Sequence, residues 1–490
     1  MKFSFEHKRF IDLNNEPNKI AIIAENRSLT WLEFKEDVES FSSYLIQNGY
    51  SNVKNPVMIY GHKQAEMIVA IYACISLEIP YVPIDEIYPT QRIQSIVEIA
   101  SVELVVNCSS QEFPIEDLTE IKLNQKDISI NNPREPEKYE IAPIDPIVYI
   151  IFTSGSTGKP KGVQITRESI IDFLSWMTID FGFQSSDVFI NVAIFSFDLS
   201  VFELMTFSAL GSTILLNGKS TIENPDLFLD RIAKFNGSIW VSTPSFSLQF
   251  SRMQNDIISK NVNYFLFCGE VLTYQLAKSL KTYFPNAKLY NTYGPTEATV
   301  ATTLIEITPE IIDNYNPLPI GYSKKGTRIE LENDEIVIIG KNVSIGYINR
   351  PELNSEKFIR KDNQRAFRTG DIGYFLDGLL FCKGRNDDQV KLHGYRIELN
   401  EITSKIDEIP FVFKSATIAL KRNDEVKKIV SIVQLKSKVD FNVKNQIVEI
   451  LSQNLPNYMI PSDIKVINEI PLNQNGKADK NRLIDIYLEG

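Results

Sequence analysis

Short apolar runs alternate with longer amphipathic segments as far as Tyr293, and this alternation constrains the fold more than any other feature. Residues 57–60 and 81–84 are typical of buried strands, whereas residues 64–77 and 90–100 have the spacing of helices. Strands that alternate with helices usually pair in parallel, because each helix crosses over the sheet. We therefore predict an α/β fold with a large N-terminal domain of parallel or mixed sheets and helices.

A further helix is predicted over residues 30–49, and it has the clearest local signals. Thr30 and Glu33 have the spacing of a capping box at its start, and Gly49 stands where such a helix would end.

The pattern changes near Gly384, where a charged run begins. Helices are predicted at residues 401–408 and 442–454, with short strands around them. A unit of about 100 residues is a plausible domain. We predict two domains, residues 1–385 and 386–490, of which the second is small, mobile and α+β.

The composition excludes several classes of protein. The chain has 490 residues, with 51 Lys and Arg against 62 Asp and Glu and a formal net charge of −11. This acidic balance argues against nucleic acid as a partner. The chain shows no secretory signal and no apolar stretch long enough to span a bilayer, so we expect no membrane insertion and a cytoplasmic location. Four scattered cysteines and three histidines give little material for a disulfide framework or a histidine-rich metal site.

The stretch from Ile151 to Val163 is the first functional signal. Ten of its 13 residues are Gly, Ser, Thr, Lys or Pro, and it follows an apolar run at residues 147–150. Backbone N–H groups with glycine freedom, hydroxyls and two lysines suit a polyphosphate. The alternative is a flexible surface linker.

This loop is not the phosphate loop of Walker-type NTPases. That motif needs a hydroxyl residue after Gly-Lys to bind magnesium, but here Pro160 follows Lys159. Thr153 also stands where the motif needs its first glycine.

Four further motifs follow the loop along the chain. They lie at residues 195–200, 291–299, 368–371 (followed by charged and Gly-containing runs at 384–398) and 471–477. Together and in this order, the five motifs resemble those of the adenylate-forming superfamily of acyl-CoA synthetases, luciferases and amino-acid adenylation domains. The resemblance covers nearly the whole chain.

Narrower signatures point to one branch of that superfamily. They lie at residues 59–62, 242–246, 265–270 and 391–396, and they resemble ligases that activate D-alanine and load it on a carrier protein.

The resemblance implies how ATP and Mg²⁺ would be bound. Lys477 is the expected catalytic residue, bridging the substrate carboxylate and the phosphoryl oxygens, although an ordinary surface lysine is the alternative. Glu297 is the expected Mg²⁺ ligand. The alternative is a carboxylate favoured at a helix N-terminus, and both roles could hold. Tyr293 would offer a flat face to adenine, unless it is only a packed turn residue. Asp371, expected in a tight turn, would bind the ribose hydroxyls or be an Asx-turn residue. The expected ATP contacts are Thr153, Ser154, Gly155, Ser156, Thr157, Lys161, Asn291, Thr292, Tyr293, Gly294, Thr296, Asp371, Arg385 and Lys477.

Asp198 indicates an amino-acid substrate rather than a fatty acid. A buried ammonium group needs a counter-charge, and Asp198 occupies the position of the family's Phe-Asp motif. The alternative is an N-cap of a helix at residues 199–204.

The remaining pocket positions are uncharged, which suits a small neutral side chain. By alignment, the pocket residues besides Asp198 are Leu199, Phe202, Ser242, Leu266, Cys268, Thr292, Val300 and Ala301. Cys268 resembles the position that crowds the wrong enantiomer, although a buried structural cysteine is the alternative. Phe202 departs from the pattern, since many such ligases have Met there.

The second step of the family is transfer to a phosphopantetheine thiol after the small domain rotates. Asp387 matches the hinge of that rotation, and Gly394 would line the thiol tunnel; both could also be plain turn residues. No G-G-x-S attachment site follows Lys477, so we expect the carrier protein to be a separate chain.

The expected activity is therefore ATP-dependent adenylation of D-alanine and its transfer to a separate carrier protein, for D-alanylation of teichoic acids. One alternative is a stand-alone peptide-synthetase adenylation domain for glycine, L-alanine or serine. Another is a catalytically silent carrier-binding module, which intact Lys477, Glu297 and Asp371 disfavour.

Overall fold

The computed structural model describes residues 16–53, 55–124, 145–155, 159–250, 260–422, 425–437, 439, 442–472 and 478–489. Its strands are β1 (Ile20–Ile23), β2 (Ser28–Thr30), β3 (Val57–Gly61), β4 (Tyr81–Asp85), β5 (Leu104–Asn107), β6 (Thr119–Lys122), β7 (Ile147–Thr153), β8 (Lys161–Thr166), β9 (Val188–Asn191), β10 (Thr213–Leu216), β11 (Ile239–Ser242), β12 (Tyr264–Phe267), β13 (Lys288–Tyr293), β14 (Thr303–Glu306), β15 (Tyr322–Ser323), β16 (Arg328–Glu332), β17 (Glu335–Ile339), β18 (Phe358–Lys361), β19 (Gln364–Leu376), β20 (Leu379–Arg385), β21 (Gln389–Leu392), β22 (Tyr395–Glu398), β23 (Val412–Arg422), β24 (Glu425–Leu435) and β25 (Asp463–Ile467). Its α-helices are α1 (Trp31–Gln47), α2 (Ala65–Ser76), α3 (Thr90–Ala100), α4 (Arg167–Asp180), α5 (Val201–Leu210), α6 (Lys219–Ile222), α7 (Pro225–Lys234), α8 (Pro244–Leu248), α9 (Tyr274–Tyr283), α10 (Pro309–Asn314), α11 (Pro351–Lys357), α12 (Leu399–Asp407), α13 (Val443–Asn454) and α14 (Lys480–Glu489). The predicted α/β fold class is confirmed.

The chain divides into two compact units that are not continuous in sequence. The first comprises residues 1–86, 99–152 and 162–384, and the second comprises residues 87–98, 153–161 and 385–490.

The first unit contains a six-stranded sheet and a nine-stranded sheet that are mainly parallel. The six-stranded order is β6-β5-β3-β4-β7-β8, and the nine-stranded order is β15-β14-β13-β12-β11-β9-β10-β1-β2. In the larger sheet β1 and β9 to β13 form the parallel part, while β2, β14 and β15 pair antiparallel at its edges. A third sheet is formed by β16-β17-β19-β18 with β20 paired to β19.

Aromatic side chains join α1, α2 and α5 in the largest core cluster of this unit. The rings of Phe34 and Tyr72 meet edge-on at 5.3 Å, and Phe34 lies 6.1 Å from Phe207. The phenol of Tyr72 donates to the carbonyl of Leu204 over 2.6 Å, so its one polar atom is satisfied inside the core.

The capping box predicted for α1 is confirmed. The hydroxyl of Thr30 accepts from the backbone N–H of Glu33 at 3.2 Å, and the Glu33 carboxylate accepts from the N–H of Thr30 at 2.7 Å. The helix ends at Gln47, two residues before Gly49, whose φ of 79° is a conformation that glycine adopts readily.

The second unit has small sheets and two covering helices. Strands β21 and β22 pair antiparallel, as do β23 and β24, while β25 adds to β24 in parallel. Apolar residues of α12 and α13 pack on one face of the larger sheet, among them Ile402, Ile406, Ile447 and Leu451.

Candidate active site

The carboxyl ends of β11, β12 and β13 lie side by side in the nine-stranded sheet. Ser242 pairs in register with Phe267, and Phe267 pairs with Asn291. Because these strands are parallel, the predicted pocket residues Ser242, Cys268 and Thr292 lie at one edge of the sheet, where α/β proteins bind ligands.

Most of the predicted pocket residues belong to one buried cluster. The predicted members of that cluster are Phe202, Leu266, Cys268, Val300 and Ala301, with the partly buried Leu199 packed against it. The sulfur of Cys268 lies 3.7 Å from the carbonyl oxygen of Val300. Phe202 is fully buried, and its ring meets Phe173 edge-on at 5.4 Å. These predicted pocket residues therefore belong to the same apolar core that joins α1, α2 and α5.

The polar residues at the strand ends are bonded to the scaffold. Ser242 accepts from the indole N–H of Trp240 at 2.8 Å, and the hydroxyl of Thr292 donates to the Phe267 carbonyl at 2.9 Å. The amide of Asn291 donates to the carbonyl of Pro319 at 2.7 Å. These bonds fix the shape of the edge; direct contacts of Asn291 and Thr292 with ATP stay a prediction.

Asp198 is the first residue of a 3-10 turn, Asp198–Ser200, that leads into α5. The alternative interpretation of Asp198 as an N-cap is wrong, because Phe197 and Ser200 occupy the two cap positions. Burial, with the nearby Asp198 carboxylate as a smaller contribution, raises the pKa of Tyr149 well above its ordinary value. Asp198 thus lies close to a buried phenol.

Tyr293 and Asp371 are hydrogen-bonded to each other in a buried position. The phenol of Tyr293 donates to Oδ2 of Asp371 over 2.6 Å. Burial, together with the Asp371 carboxylate, raises the pKa of Tyr293 well above its ordinary value. The structure therefore joins the two residues predicted to bind adenine and ribose, while those roles stay predictions.

The expected tight turn at Asp371 is wrong. Asp371 lies within the 13-residue strand β19. The pairing of β19 with β17 shifts register between Glu335 and Val337, and Gly370 has a φ of 75°. Strand β19 therefore has a bulge at Gly370, a conformation that glycine permits. This bulge, and not a turn, directs the Asp371 carboxylate.

Glu297 is fully buried in the 3-10 turn Thr296–Ala298. Its Oε1 accepts from the phenol of Tyr347 at 2.6 Å, and its backbone carbonyl accepts from the N–H of Ser344 at 2.8 Å. The alternative role at a helix N-terminus is not supported, since the helical segment is one turn long. One buried carboxylate fits Mg²⁺, which proteins usually bind through one or two carboxylates plus phosphates and water.

The backbone around this turn is tightly packed and strained. A Cβ on Gly294 would come within 2.5 Å of the Cα of Ala301, so only glycine fits there. Thr299 and Val300 have φ values of 56° and 68°, which β-branched residues rarely adopt. Such strain persists only where the surroundings impose it, and it is concentrated at functional sites.

The described part of the phosphate loop is bonded to residues of the second unit, to which it belongs. The hydroxyl of Ser154 donates to the carbonyl of Arg396 at 2.7 Å, and the N–H of Gly155 donates to Glu401 at 2.9 Å. Lys161 pairs with Glu398 at 3.1 Å.

Two more predicted loop residues, Ser156 and Thr157, lie outside the described residues. The hydroxyl of Thr153 is buried and has no partner within the part of the chain that the structure describes.

Arg385 and Asp387 form a two-pronged ion pair, with Nε to Oδ1 and Nη2 to Oδ2 both at 2.7 Å. Although burial opposes ionisation, hydrogen bonds and charge from Arg385 hold the pKa of Asp387 below its ordinary value. Lys477, the predicted catalytic residue, lies outside the described residues.

Several residues beside the site were missed by the sequence analysis. Tyr149 has a buried hydroxyl that has no partner among the described residues, which is unusual for a folded protein. Tyr347 contacts Glu297, and Glu398 and Glu401 contact the phosphate loop. Glu398 ends the run at residues 384–398 but was given no role there, and the other three lie outside the five motifs, so only their three-dimensional placement reveals them.

Within the described ranges, no three or more His, Cys, Asp or Glu side chains are grouped closely enough to hold a metal ion. A metal here would need ligands from a substrate, as Mg²⁺ bound to ATP has.

Within the residues that the structure describes, no helix is both long and apolar enough to cross a membrane.

A family model described as AMP-binding enzyme matches residues 11–348. The chain belongs to the AMP-binding enzyme family. Two relatives named D-alanine–D-alanyl carrier protein ligase, from Bacillus cytotoxicus and Bacillus cereus, are 37% and 36% identical to it, each over 96% of both chains. This member of the AMP-binding family is therefore an ATP-dependent, AMP-forming ligase.

Solved structures agree on the fold of this AMP-binding enzyme. An o-succinylbenzoate CoA synthetase from Bacillus subtilis matches with a TM-score of 0.84, at 20% identity over 96% of both chains. An adenylation domain from Vibrio cholerae, in complex with glycyl-adenosine-5′-phosphate, matches with a TM-score of 0.82, at 20% identity over 100% of this chain and 98% of that one.

Proposed function

We propose that the enzyme adenylates D-alanine with ATP and transfers the D-alanyl group to the phosphopantetheine thiol of a separate carrier protein. The observation that supports the proposal is the burial of the predicted pocket residues Phe202, Leu266 and Cys268 in one apolar core cluster beside the strand edge, with Asp198 as the predicted carboxylate of the pocket. The names of the two Bacillus relatives support the same substrate and carrier. D-alanylation of teichoic acids, from the cytoplasm, is the proposed use.

In the first step, an oxygen of the D-alanine carboxylate attacks the α-phosphorus of ATP. The bond from that phosphorus to the bridging oxygen breaks, and pyrophosphate leaves. Asp198 would balance the substrate ammonium group, and Lys477 would lower the repulsion between the carboxylate and the phosphate. Mg²⁺, held through Glu297 and the phosphates, would supply further positive charge.

Tyr293 and Asp371 would place the adenosine, Tyr293 beneath adenine and Asp371 on the ribose. Their mutual hydrogen bond at 2.6 Å would keep both in position before ATP arrives. The phosphate-loop residues and Arg385 would hold the phosphates.

In the second step, the carrier's thiolate attacks the carbonyl carbon of the adenylate. The bond between that carbon and the phosphate oxygen breaks, and AMP leaves with that oxygen. We place the hinge for the change between the steps at Asp387, whose pairing with Arg385 would have to adjust.

A second candidate is a stand-alone adenylation domain for glycine, L-alanine or serine, favoured by the departure at Phe202. Phe202 is fully buried, so its bulk would set the depth of the pocket.

ATP–pyrophosphate exchange with a panel of amino acids tests the proposal. We expect exchange that depends on D-alanine and falls about 100- to 1,000-fold or more in Lys477→Ala, because a donor to the developing charge is lost. Faster exchange with glycine, L-alanine or serine would favour the second candidate. No exchange with any of them would overturn both.

A further inference from the structure

Residues 296–300, which comprise the 3-10 turn with Glu297 and the two strained residues after it, are hydrogen-bonded to the segment Asn342–Tyr347. Four hydrogen bonds connect the two. Tyr347 donates to Glu297 Oε1 at 2.6 Å, and Ser344 N–H donates to the Glu297 carbonyl at 2.8 Å. At the other end, the Thr299 hydroxyl donates to the Asn342 carbonyl at 2.6 Å, and the Asn342 amide donates to the Ala298 carbonyl at 3.3 Å.

The holding segment is itself well fixed. Asn342 is fully buried, and Tyr347 is only 2% exposed. The Asn342 side-chain oxygen accepts from the hydroxyl of Thr327 at 2.8 Å, and the ring of Tyr347 meets Phe358 edge-on at 5.2 Å. A segment with so few alternative positions can impose a geometry on its neighbour.

The held turn needs such support, because Thr299 and Val300 both have left-handed backbone conformations. These conformations direct the Val300 carbonyl to within 3.7 Å of the Cys268 sulfur. The Thr299 hydroxyl bond lies one residue from that carbonyl. Without it, the strained pair is free to relax and move the Cys268 wall of the pocket.

We propose that the segment Asn342–Tyr347 is a two-ended positioning element for this enzyme. Tyr347 orients the Glu297 carboxylate toward Mg·ATP, and Asn342 fixes the Thr299–Val300 turn that shapes the alanine pocket. The two ends act on different substrates, so they are separable by mutation. This inference rests on the proposed function.

Binding measured by calorimetry separates the two ends. The probes are Mg·ATP and the sulfamate analogues of D-alanyl and L-alanyl adenylate, which carry no polyphosphate. Tyr347→Phe should weaken Mg·ATP binding about tenfold, which is the lower end of the range for residues that orient metal ligands. It should leave the affinity for both analogues unchanged. Its matched control is Tyr315→Phe, which removes another phenol–carboxylate bond, to Asp377 at 3.0 Å, and should change neither.

At the other end, Thr299→Val should lower the ratio of D- to L-analogue affinity by roughly three- to tenfold, the worth of one hydrogen bond, with Mg·ATP binding unchanged. Thr299→Ser keeps the hydroxyl and should restore the ratio. Thr213→Val removes an equivalent hydroxyl–carbonyl bond, to Ile20 at 2.6 Å, and should have no effect on it. If Thr299→Val does not fold, Thr327→Val removes the bond to the Asn342 side chain and should also lower the ratio.

The outcomes separate the inference from the function beneath it. If the wild-type enzyme binds neither analogue, the proposed function fails. If it prefers the D-analogue but either variant leaves its own readout unchanged, or changes both readouts equally, the positioning element is overturned alone.

Discussion

Cys268 is a small buried side chain in the predicted substrate pocket, and its sulfur lies against the carbonyl of Val300. A wall of this kind distinguishes enantiomers by crowding, because a protein interior repacks little around a misplaced methyl group.

We predict that Cys268→Ala narrows the preference for D-alanine over L-alanine by about tenfold, the lower end of what a difference of one small group in a pocket is worth. The ratio of kcat/KM for the two enantiomers in the exchange assay measures it. Cys74→Ala, at another fully buried cysteine, is the control and should leave the ratio unchanged. An unaltered ratio in Cys268→Ala would remove this residue from the selectivity argument.

For single residues, the sequence indicated which side chains are candidates for the site, but not which neighbours they bond to. The pocket around Cys268 was predicted from motif alignment and stays a prediction, although most of its predicted members lie in the same apolar core cluster. The partners of Glu297 could not be predicted, because Tyr347 is 50 residues away in the chain. Contacts of that separation depend on how strands and turns pack, which local patterns do not record.

Among the elements, α1 shows how directly local chemistry sets a boundary. Its capping box satisfies N–H groups that otherwise have no partner at a helix start.

We predict that Thr30→Ala lowers the local stability of α1 by about 1 kcal/mol, the usual worth of an N-cap. Hydrogen exchange of the α1 amides measures the loss. Thr282→Ala is the matched control, because its hydroxyl only bonds back to the Lys278 carbonyl within a helix and should be neutral or slightly stabilising. Equal exchange in the two variants would contradict the prediction.

Helix α1 and strands β3 and β4 were predictable to within a few residues because capping and apolar spacing are local signals. The bulge at Gly370 was not predictable, since it depends on the register between β19 and β17. That register, set by pairing across the sheet, determines where Asp371 lies.

In the molecule as a whole, Lys63 connects the edges of two sheets in the first unit. It follows β3 of the six-stranded sheet, and its ammonium group donates to the carbonyls of Val192 and Asn217, at 2.7 and 2.8 Å, which follow β9 and β10. Burial lowers the pKa of Lys63 to about 8, against the raising influence of the Glu203 carboxylate.

This shift predicts a pH dependence of stability. Between about pH 8 and the unfolded pKa of about 10.4, the unfolded chain binds more protons at Lys63 than the folded chain does. The contribution of this residue to the free energy of unfolding should therefore rise with pH, by up to about 1.4 kcal/mol per unit.

Denaturant unfolding of the wild type and Lys63→Met from pH 7 to 10 measures that contribution. We expect the variant to be less stable at pH 7, because two carbonyls lose their donor, and the difference to grow above pH 8. Parallel curves would show that Lys63 does not titrate as its burial implies.

The two steps of the proposed reaction give the last prediction. Asp387→Ala should slow transfer to the carrier thiol by about tenfold or more, as expected for a hinge residue. It should change ATP–pyrophosphate exchange by less than about threefold. Single-turnover transfer from the preformed adenylate isolates the second step. Asp388→Ala is the neighbouring control, and a loss of exchange equal to the loss of transfer would argue against a hinge.

The contacts of the phosphate loop have a practical consequence for crystallography. Gly155 and Lys161 already donate to the carboxylates of Glu401 and Glu398. A phosphate would have to displace the Glu401 carboxylate to accept the Gly155 N–H, and it would approach Lys161 against the negative charge of Glu398. A crystal that preserves these contacts would therefore resist nucleotide or crack when soaked in it. Growing crystals from protein already saturated with ATP analogue is therefore the route to a complex.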